Sequence, residues 1–261
     1  MTTIVSDAGV QFADASGLTN SPPIGFKNLQ ASATGLSATV TVSADEVSMA
    51  NTANFYITSR AVSLSINSAT SGSNGLDTGT IAASTWYSVW VISNGATTAG
   101  LLSTSATAPT MPSGYTFKAR VGWIRTDGTG NKYPLSFKQY GRQIQYVVAA
   151  GSNVTGVPIL LSGSTGDPTT PTWTAVGVST VVPSTAAQIS LGLNGLAAVS
   201  AIVAPNNSYG GRTSTTNPPT MVHDATASIT TCVSMVLESA NIYAASSGTI
   251  QVWASGWTDN L

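Results

Sequence analysis

The sequence predicts an all-β protein with two tandem antiparallel β-sandwich domains of jelly-roll-like type and a short N-terminal segment. Three observations predict this fold. Apolar residues recur with a period of two in short segments, helical periodicity is almost absent, and clusters of Gly, Pro, Asn and Asp separate the segments. A chain of 261 residues is long enough for two such domains, each with its own core.

In the first half, several segments alternate apolar and polar side chains, as strands with one buried face do. Residues 38–42 alternate with Thr, residues 62–66 with Ser, and residues 117–123 with Lys, Arg and Gly. Residues 86–92 are almost continuously apolar, which is typical of a central strand covered on both faces. Residues 126–131 are rich in Gly, Asp and Asn, so we expect a hairpin to turn there.

The second half repeats this pattern after a boundary that we place at about Gly151. A predicted strand ends just before this point, and Gly151 and Pro158 interrupt the alternation. The sequence therefore predicts residues 1–23 as a docking segment, residues 24–150 as the first sandwich and residues 151–261 as the second. An edge strand of the first domain is the alternative for the docking segment. The strands predicted in the second sandwich are residues 188–193, 198–204, 228–237, 241–244 and 249–253.

Charged residues make up only 7% of the chain, against about 25% in typical soluble proteins. Such a Ser-, Thr- and Gly-rich surface suits extracellular sandwiches, fibres and shells better than cytosolic enzymes. The net charge of -1 gives no reason to expect a nucleic-acid partner. One stretch is nevertheless basic, and it is either a solvated strand face or an anion-binding patch. Its basic residues are Lys118, Arg120, Arg125, Lys132, Lys138 and Arg142.

The sequence offers little catalytic chemistry. His223 is the single histidine, which excludes multi-histidine metal sites, and the pair His223 and Asp224 is typical of a loop. No Gly-x-Ser-x-Gly motif is present, and most of the ten carboxylates lie in turn contexts. We therefore expect no enzyme activity, no cofactor and no metal, with a glycan depolymerase as the enzymatic alternative.

The single cysteine, Cys232, lies in an apolar run and is predicted to be a buried small hydrophobe. The N-terminus lacks the pattern of a signal peptide, and no run of about 18 apolar residues occurs. We therefore expect synthesis in the host cytoplasm without membrane insertion.

Residues 205–219 form a long, turn-rich connection, which is either a recognition loop on a rigid sandwich or an ordinary link between sheets. Among the aromatic residues, Trp86, Trp90 and Trp253 lie in strand patterns and are predicted to be core. Trp173 and Trp257 have loop neighbours and are predicted to be exposed. The candidate binding residues are Asn206, Asn207, Tyr209, Arg212, Trp173 and Trp257.

Four segments of the first half, in this order and spacing, resemble bacteriophage tail-fibre and related virion surface proteins. The likeness covers about residues 50–148, and the C-terminal residues 252–261 (VWASGWTDNL) also resemble an ending of such proteins. The four segments are residues 74–90 (NGLDTGTIAASTWYSVW), 101–115 (LLSTSATAPTMPSGY), 120–128 (RVGWIRTDG) and 139–146 (QYGRQIQY).

This resemblance implies a structural β-sandwich module on the surface of a virion, often homotrimeric. Such a module docks on other virion proteins through its N-terminal part and exposes its distal part to the host. The expected function is a tail fibre or receptor-binding protein that attaches the particle to host surface glycan, with many copies adding avidity to weak contacts. A capsid decoration (cement) or head-fibre protein is the alternative. The chain lacks coiled-coil heptads, so a short fibre or a fibre tip fits better than a long shaft.

Overall fold

The structure is a computed structural model that describes residues 25–195, 198–224 and 229–261, together with the backbone of three short strands near the N-terminus. These strands, β1 (Ile4–Ser6), β2 (Gly9–Gln11) and β3 (Gly17–Leu18), form an antiparallel sheet in the order β1-β2-β3. The rest of the predicted docking segment, residues 1–23, lies outside the described residues. Every regular element of the described chain is a β-strand, which confirms the all-β prediction.

The chain divides into two compact units. Unit 1 comprises residues 1–32 and 38–134, and unit 2 comprises residues 33–37 and 135–261. The junction thus lies at Pro134, before the position near Gly151 that the sequence indicated. The reason is that a hairpin formed by residues 137–146 pairs with the last strand of the chain and so belongs to unit 2. The description of each unit as a jelly-roll-like sandwich stays a prediction.

Unit 1 is built around one long strand. Its strands are β4 (Phe26–Lys27), β5 (Gln30–Ala33), β6 (Thr39–Ala50), β7 (Tyr56–Asn67), β8 (Gly75–Leu76), β9 (Trp86–Ser93), β10 (Thr98–Ser103) and β11 (Phe117–Arg125). The long strand, β6, pairs antiparallel with the next strand, β7, along its length, and with β4, β5 and β11 on its other edge.

Strand β9 lies between β10 and β11, and its side chains are buried from Tyr87 onwards, as the apolar run predicted. In β11 the predicted alternation holds only in part. The register shifts between Arg120 and Gly122, and the residues that follow are buried on both faces. The chain then turns as expected, because the Asp127 N–H donates to Tyr133 O at 2.9 Å.

Unit 2 is organised around its last strand, which pairs with three strands on one edge and two on the other. That strand, β20, is a single element where the sequence predicted two. The Ser246 hydroxyl accepts from Thr165 N at 3.0 Å and donates to Gly248 O at 2.8 Å, so hydroxyl bonds bridge the irregular point. The strands are β12 (Phe137–Tyr140), β13 (Gln143–Tyr146), β14 (Ile159–Thr165), β15 (Thr174–Gly177), β16 (Ala186–Gly195), β17 (Ala201–Ala204), β18 (Met221–His223), β19 (Ile229–Val236) and β20 (Asn241–Asp259).

Two single-residue predictions for unit 2 are wrong. His223 does not lie in a loop but ends β18, where it is fully buried opposite Ala201. Cys232 is exposed rather than buried, because it lies on the face of β19 opposite to that of the buried Met235. The prediction for His223 rested on its neighbour Asp224, and that for Cys232 on the apolar residues around it. Neither showed which face of the strand packs against the core.

Candidate functional site

Two connections of unit 2 lie against each other and form the candidate site. Residues 166–173 join β14 to β15, and residues 205–220 join β17 to β18. Three of the flanking strands, β14, β15 and β17, pair with β20, and the fourth, β18, pairs with β17. The site is therefore carried by strands that are joined to β20 directly or through β17.

The shorter connection is held in shape by the side chain of Asp167. Its Oδ1 accepts from Thr169 N at 2.7 Å, which is the short-range bond typical of an Asx turn. Thr172 closes the turn, since its Oγ1 accepts from Asp167 N at 2.6 Å and its N–H donates to Asp167 O at 3.2 Å. Gly166 takes a φ of 54°, and a β-carbon there would overlap the Thr172 carbonyl.

The longer connection is stabilised by its own polar groups. Asn206 Oδ1 accepts from Ser208 N at 2.8 Å, which fixes the start of the loop. Asn217 then links the two arms, because its carbonyl accepts from Gly210 N at 2.8 Å and its amide donates to Ser208 O at 2.8 Å. Asn217 Oδ1 also accepts from the Ser214 hydroxyl at 2.8 Å. Residues 206–217 therefore form a closed loop rather than an open link.

Two hydrogen bonds join the connections. The Trp173 indole N–H donates to Tyr209 O at 3.2 Å, and Arg212 N donates to Pro168 O at 2.9 Å. Between these bonds the backbones touch, because a β-carbon at Gly211 would overlap the carbonyl of Thr169. Only glycine permits this close approach.

Arg212 ties the longer loop to the strands beneath it. Its Nη1 donates to Asp224 Oδ1 at 2.6 Å and to Ser200 Oγ at 3.2 Å. The Asp224 side chain is 64% exposed, so this ion pair contributes at most about 1 kcal/mol of stability. Its main effect is to fix the direction in which the loop leaves the sheet.

A second polar contact holds the start of the loop. Asn206 Nδ2 donates to Glu238 Oε2 at 2.6 Å. Asn207 follows; it is exposed and has no hydrogen-bond partner in the part of the chain that the structure describes. The loop therefore presents a free amide from a fixed backbone.

The structure brings together five of the six candidate residues, and the exception is Trp257. Its side chain is only 2% exposed and its ring centroid lies 5.6 Å from that of Tyr146, so the prediction of an exposed Trp257 is wrong. A bulge in β20 explains the error. The register shifts between the pairs Ser190–Gly256 and Leu191–Ala254, which reverses the face that later side chains occupy.

The burial of four other tryptophans agrees with the predictions only in part. Trp90 is buried, as predicted, whereas Trp86 and Trp253 are half-buried, so the prediction that these two are core holds only in part. Trp173 is also half-buried, with its indole N–H used by Tyr209. Its ring supports the loop as well as contributing to its surface.

His223 and the other possible metal ligands are not organised into a reactive group among the described residues. His223 is adjacent to the site in sequence, yet neither ring nitrogen has a hydrogen-bond partner among the described residues, so the structure links it to none of their serines or carboxylates. Among the described residues no three His, Cys, Asp or Glu side chains form a group that could hold a metal ion. The same residues include no helix that is long and apolar enough to cross a membrane.

Sequence reasoning missed the residues that support the loop. Asp167 and Asn217 shape the two connections, and Ser200, Asp224 and Glu238 anchor them. The sequence Asp-Pro-Thr at 167–169 is a turn signature that could have indicated Asp167. The three anchoring residues are far apart in sequence and carry no local signal.

Comparison of the chain with protein-family models, with curated proteins and with solved structures found no match in any of the three.

Proposed function

We propose that this chain is a structural virion protein of a bacteriophage, a tail fibre or receptor-binding protein that attaches the particle to host surface glycan. The resemblance of about residues 50–148, and of the C-terminal residues 252–261, to such proteins motivates the proposal. The observation that carries it is the loop assembly of unit 2, where five candidate binding residues lie together on a hydrogen-bonded frame.

The loop assembly has the properties that glycan binding requires. Sugar hydroxyls are recognised by fixed donors and acceptors, and a frame that is already ordered loses little conformational entropy on binding. Asn207 supplies an exposed amide, and the same assembly contains the half-buried rings of Trp173 and Tyr209. Several copies in a homotrimer, the assembly we expect, would multiply a weak single contact.

Binding of the purified, fluorescently labelled chain to candidate host bacteria and to an array of their surface glycans tests the proposal. Asn207→Ala should lower binding about threefold to tenfold, the effect of one lost hydrogen bond. Asn131→Ala, at an exposed position of unit 1, is the matched control and should bind normally. A chain that binds none of these cells or glycans contradicts the proposal.

The position on the particle separates a tail fibre from a capsid decoration protein. An antibody against residues 206–211 should label tail tips, whereas labelling of the whole head would favour decoration.

Light scattering on the purified chain should give the mass of a trimer. Incubation with host polysaccharide should release no reducing ends, since we propose binding without hydrolysis.

A further inference from the structure

A groove of about 400 Å³ lies on the outer face of the β12–β13 hairpin in unit 2. This volume falls within the range of small-ligand sites. The groove is separate from the loop assembly and contains none of the candidate binding residues. Its lining includes Lys138, Tyr140, Gln143, Gln145, Val147 and Val148.

Strand alternation places four polar side chains in this groove. Lys138 pairs across the hairpin with Gln145, and Tyr140 pairs with Gln143, while the intervening residues of both strands are buried. The two strands are joined by a tight turn in which Gly141 takes a φ of 58°. The two outward pairs therefore lie next to each other on one rigid surface.

The four side chains are available to a ligand. None of them has a hydrogen-bond or ion-pair partner among the residues that the structure describes. The inward-facing polar groups of the same hairpin differ in this respect. The Tyr146 hydroxyl donates to Val181 O at 2.7 Å, and Gln139 Nε2 donates to Gly141 O at 2.7 Å.

The chemistry of the groove fits a sugar. Tyr140 is 60% exposed and offers an aromatic face, whose negative charge density attracts the positively polarised C–H groups of a pyranose ring. Two amides at adjacent pairs supply donors and acceptors for neighbouring hydroxyls. Lys138 is the one charged residue in the lining, so the groove carries a positive charge without a lining carboxylate to neutralise it.

We infer that this groove is a second saccharide-binding site, selective for a sugar that carries an acidic group. Tyr140 stacks on the sugar ring, Gln143 and Gln145 bind its hydroxyls, and Lys138 pairs with the acidic group. Val147 and Val148 form the apolar wall. The inference rests on the proposed function of glycan attachment and names the class of glycan.

An array of acidic bacterial oligosaccharides, each printed beside its carboxyl-reduced counterpart, tests the inference with the full chain. The parent protein should bind the acidic member of a pair more tightly, by about tenfold at low salt and less at high salt. Lys138→Gln should remove this preference without weakening binding to the reduced sugar. Lys27→Gln, an exposed lysine of β4, is the matched control and should keep the preference.

Tyr140→Ala should weaken binding to both members of a pair by about tenfold. Tyr56→Ala is the control, since Tyr56 is an exposed tyrosine of unit 1 at 43%. Both variants remove exposed rings, so their unfolding midpoints should match that of the parent, which separates a binding effect from misfolding.

The outcomes distinguish this inference from the proposed function. Binding that depends on Asn207 but not on Tyr140 or Lys138 contradicts the inference that the groove binds a saccharide and leaves the proposed function intact. Equal affinity for acidic and reduced sugars overturns the selectivity. Failure to bind any saccharide overturns both, and a loss of trimer mass in Tyr140→Ala would show that a second copy of the chain covers the groove instead.

Discussion

The indole of Trp253 on β20 occupies the space that a β-carbon of Gly192 on β16 would fill. The two residues are register partners on neighbouring strands, and an added β-carbon would overlap the ring atoms Cε2, Cζ2 and Nε1. Glycine weakens a strand because it has no side chain to pack. At position 192 this absence provides the slot that holds Trp253.

Gly192→Ala should therefore destabilise the protein by about 1 to 3 kcal/mol, the usual effect of overpacking. Urea unfolding followed by tryptophan fluorescence measures this loss. Gly177→Ala is the matched control, since its β-carbon would lie 3.7 Å from Asn241 Oδ1, and it should change stability by less than about 0.5 kcal/mol. In a chain that already carries Trp253→Ala, the same Gly192→Ala change should cost less free energy of unfolding, because the ring that it would overlap is gone. A fully stable Gly192→Ala variant would contradict the proposed steric role.

His223→Leu should be as stable as the parent or more stable. The ring of His223 is fully buried and neither nitrogen has a hydrogen-bond partner in residues 25–195, 198–224 and 229–261, so leucine removes two unsatisfied polar atoms while keeping most of the volume. Met221→Ala on the same strand removes buried apolar atoms and should lose about 2 to 5 kcal/mol. Chemical denaturation checks both, and a loss above about 2 kcal/mol in His223→Leu would show that the ring nitrogens are paired in solution.

Thr126→Val should destabilise unit 1 by about 1 to 3 kcal/mol, because it removes the hydrogen bonds of a buried hydroxyl to two part-buried backbone groups without changing the side-chain shape. The Thr126 hydroxyl donates to Ala82 O at 2.6 Å and accepts from Thr85 N at 3.0 Å. Thr41→Val, on the exposed face of β6, serves for comparison and should have little effect. Equal thermal stability of the two variants would argue against this role of Thr126.

The Cys232 thiol should react in the native protein almost as fast as in the unfolded chain, since it is exposed on β19. Titration with a thiol-specific chromogenic reagent at neutral pH, with and without denaturant, measures the two rates. Strong protection of the thiol in a native trimer, relieved by dilution to monomers, would show that the face of β19 is covered by another copy.

The sequence predicted correctly those elements that can be recognised from their own residue types. Strand β9 is covered on both faces and is therefore almost entirely apolar, so it was recognisable without its partners. The turn at Asp127 was equally clear, because its carboxylate makes a local bond to Thr129 N at 2.9 Å. The loop at 205–219 was recognisable from its Asn, Ser and Gly content.

The errors arose where the covered face depends on distant partners. Trp253 and Trp257 are four residues apart, and a regular strand would place them on the same face. The bulge near Ser255 separates them, leaving Trp253 half-buried and Trp257 in the core. Cys232 shows the same limit, since the chain around it is apolar although its own side chain faces outward.

The sequence by itself determined the all-β class, most of the strands and the loop that carries the candidate site, because period-two patterning and turn chemistry are local. Only the tertiary structure decided where the chain divides, which side chains of β20 face the core, and which residues support the loop. These features depend on strand register and on contacts such as that of Arg212 with Ser200, which join residues through space rather than along the chain.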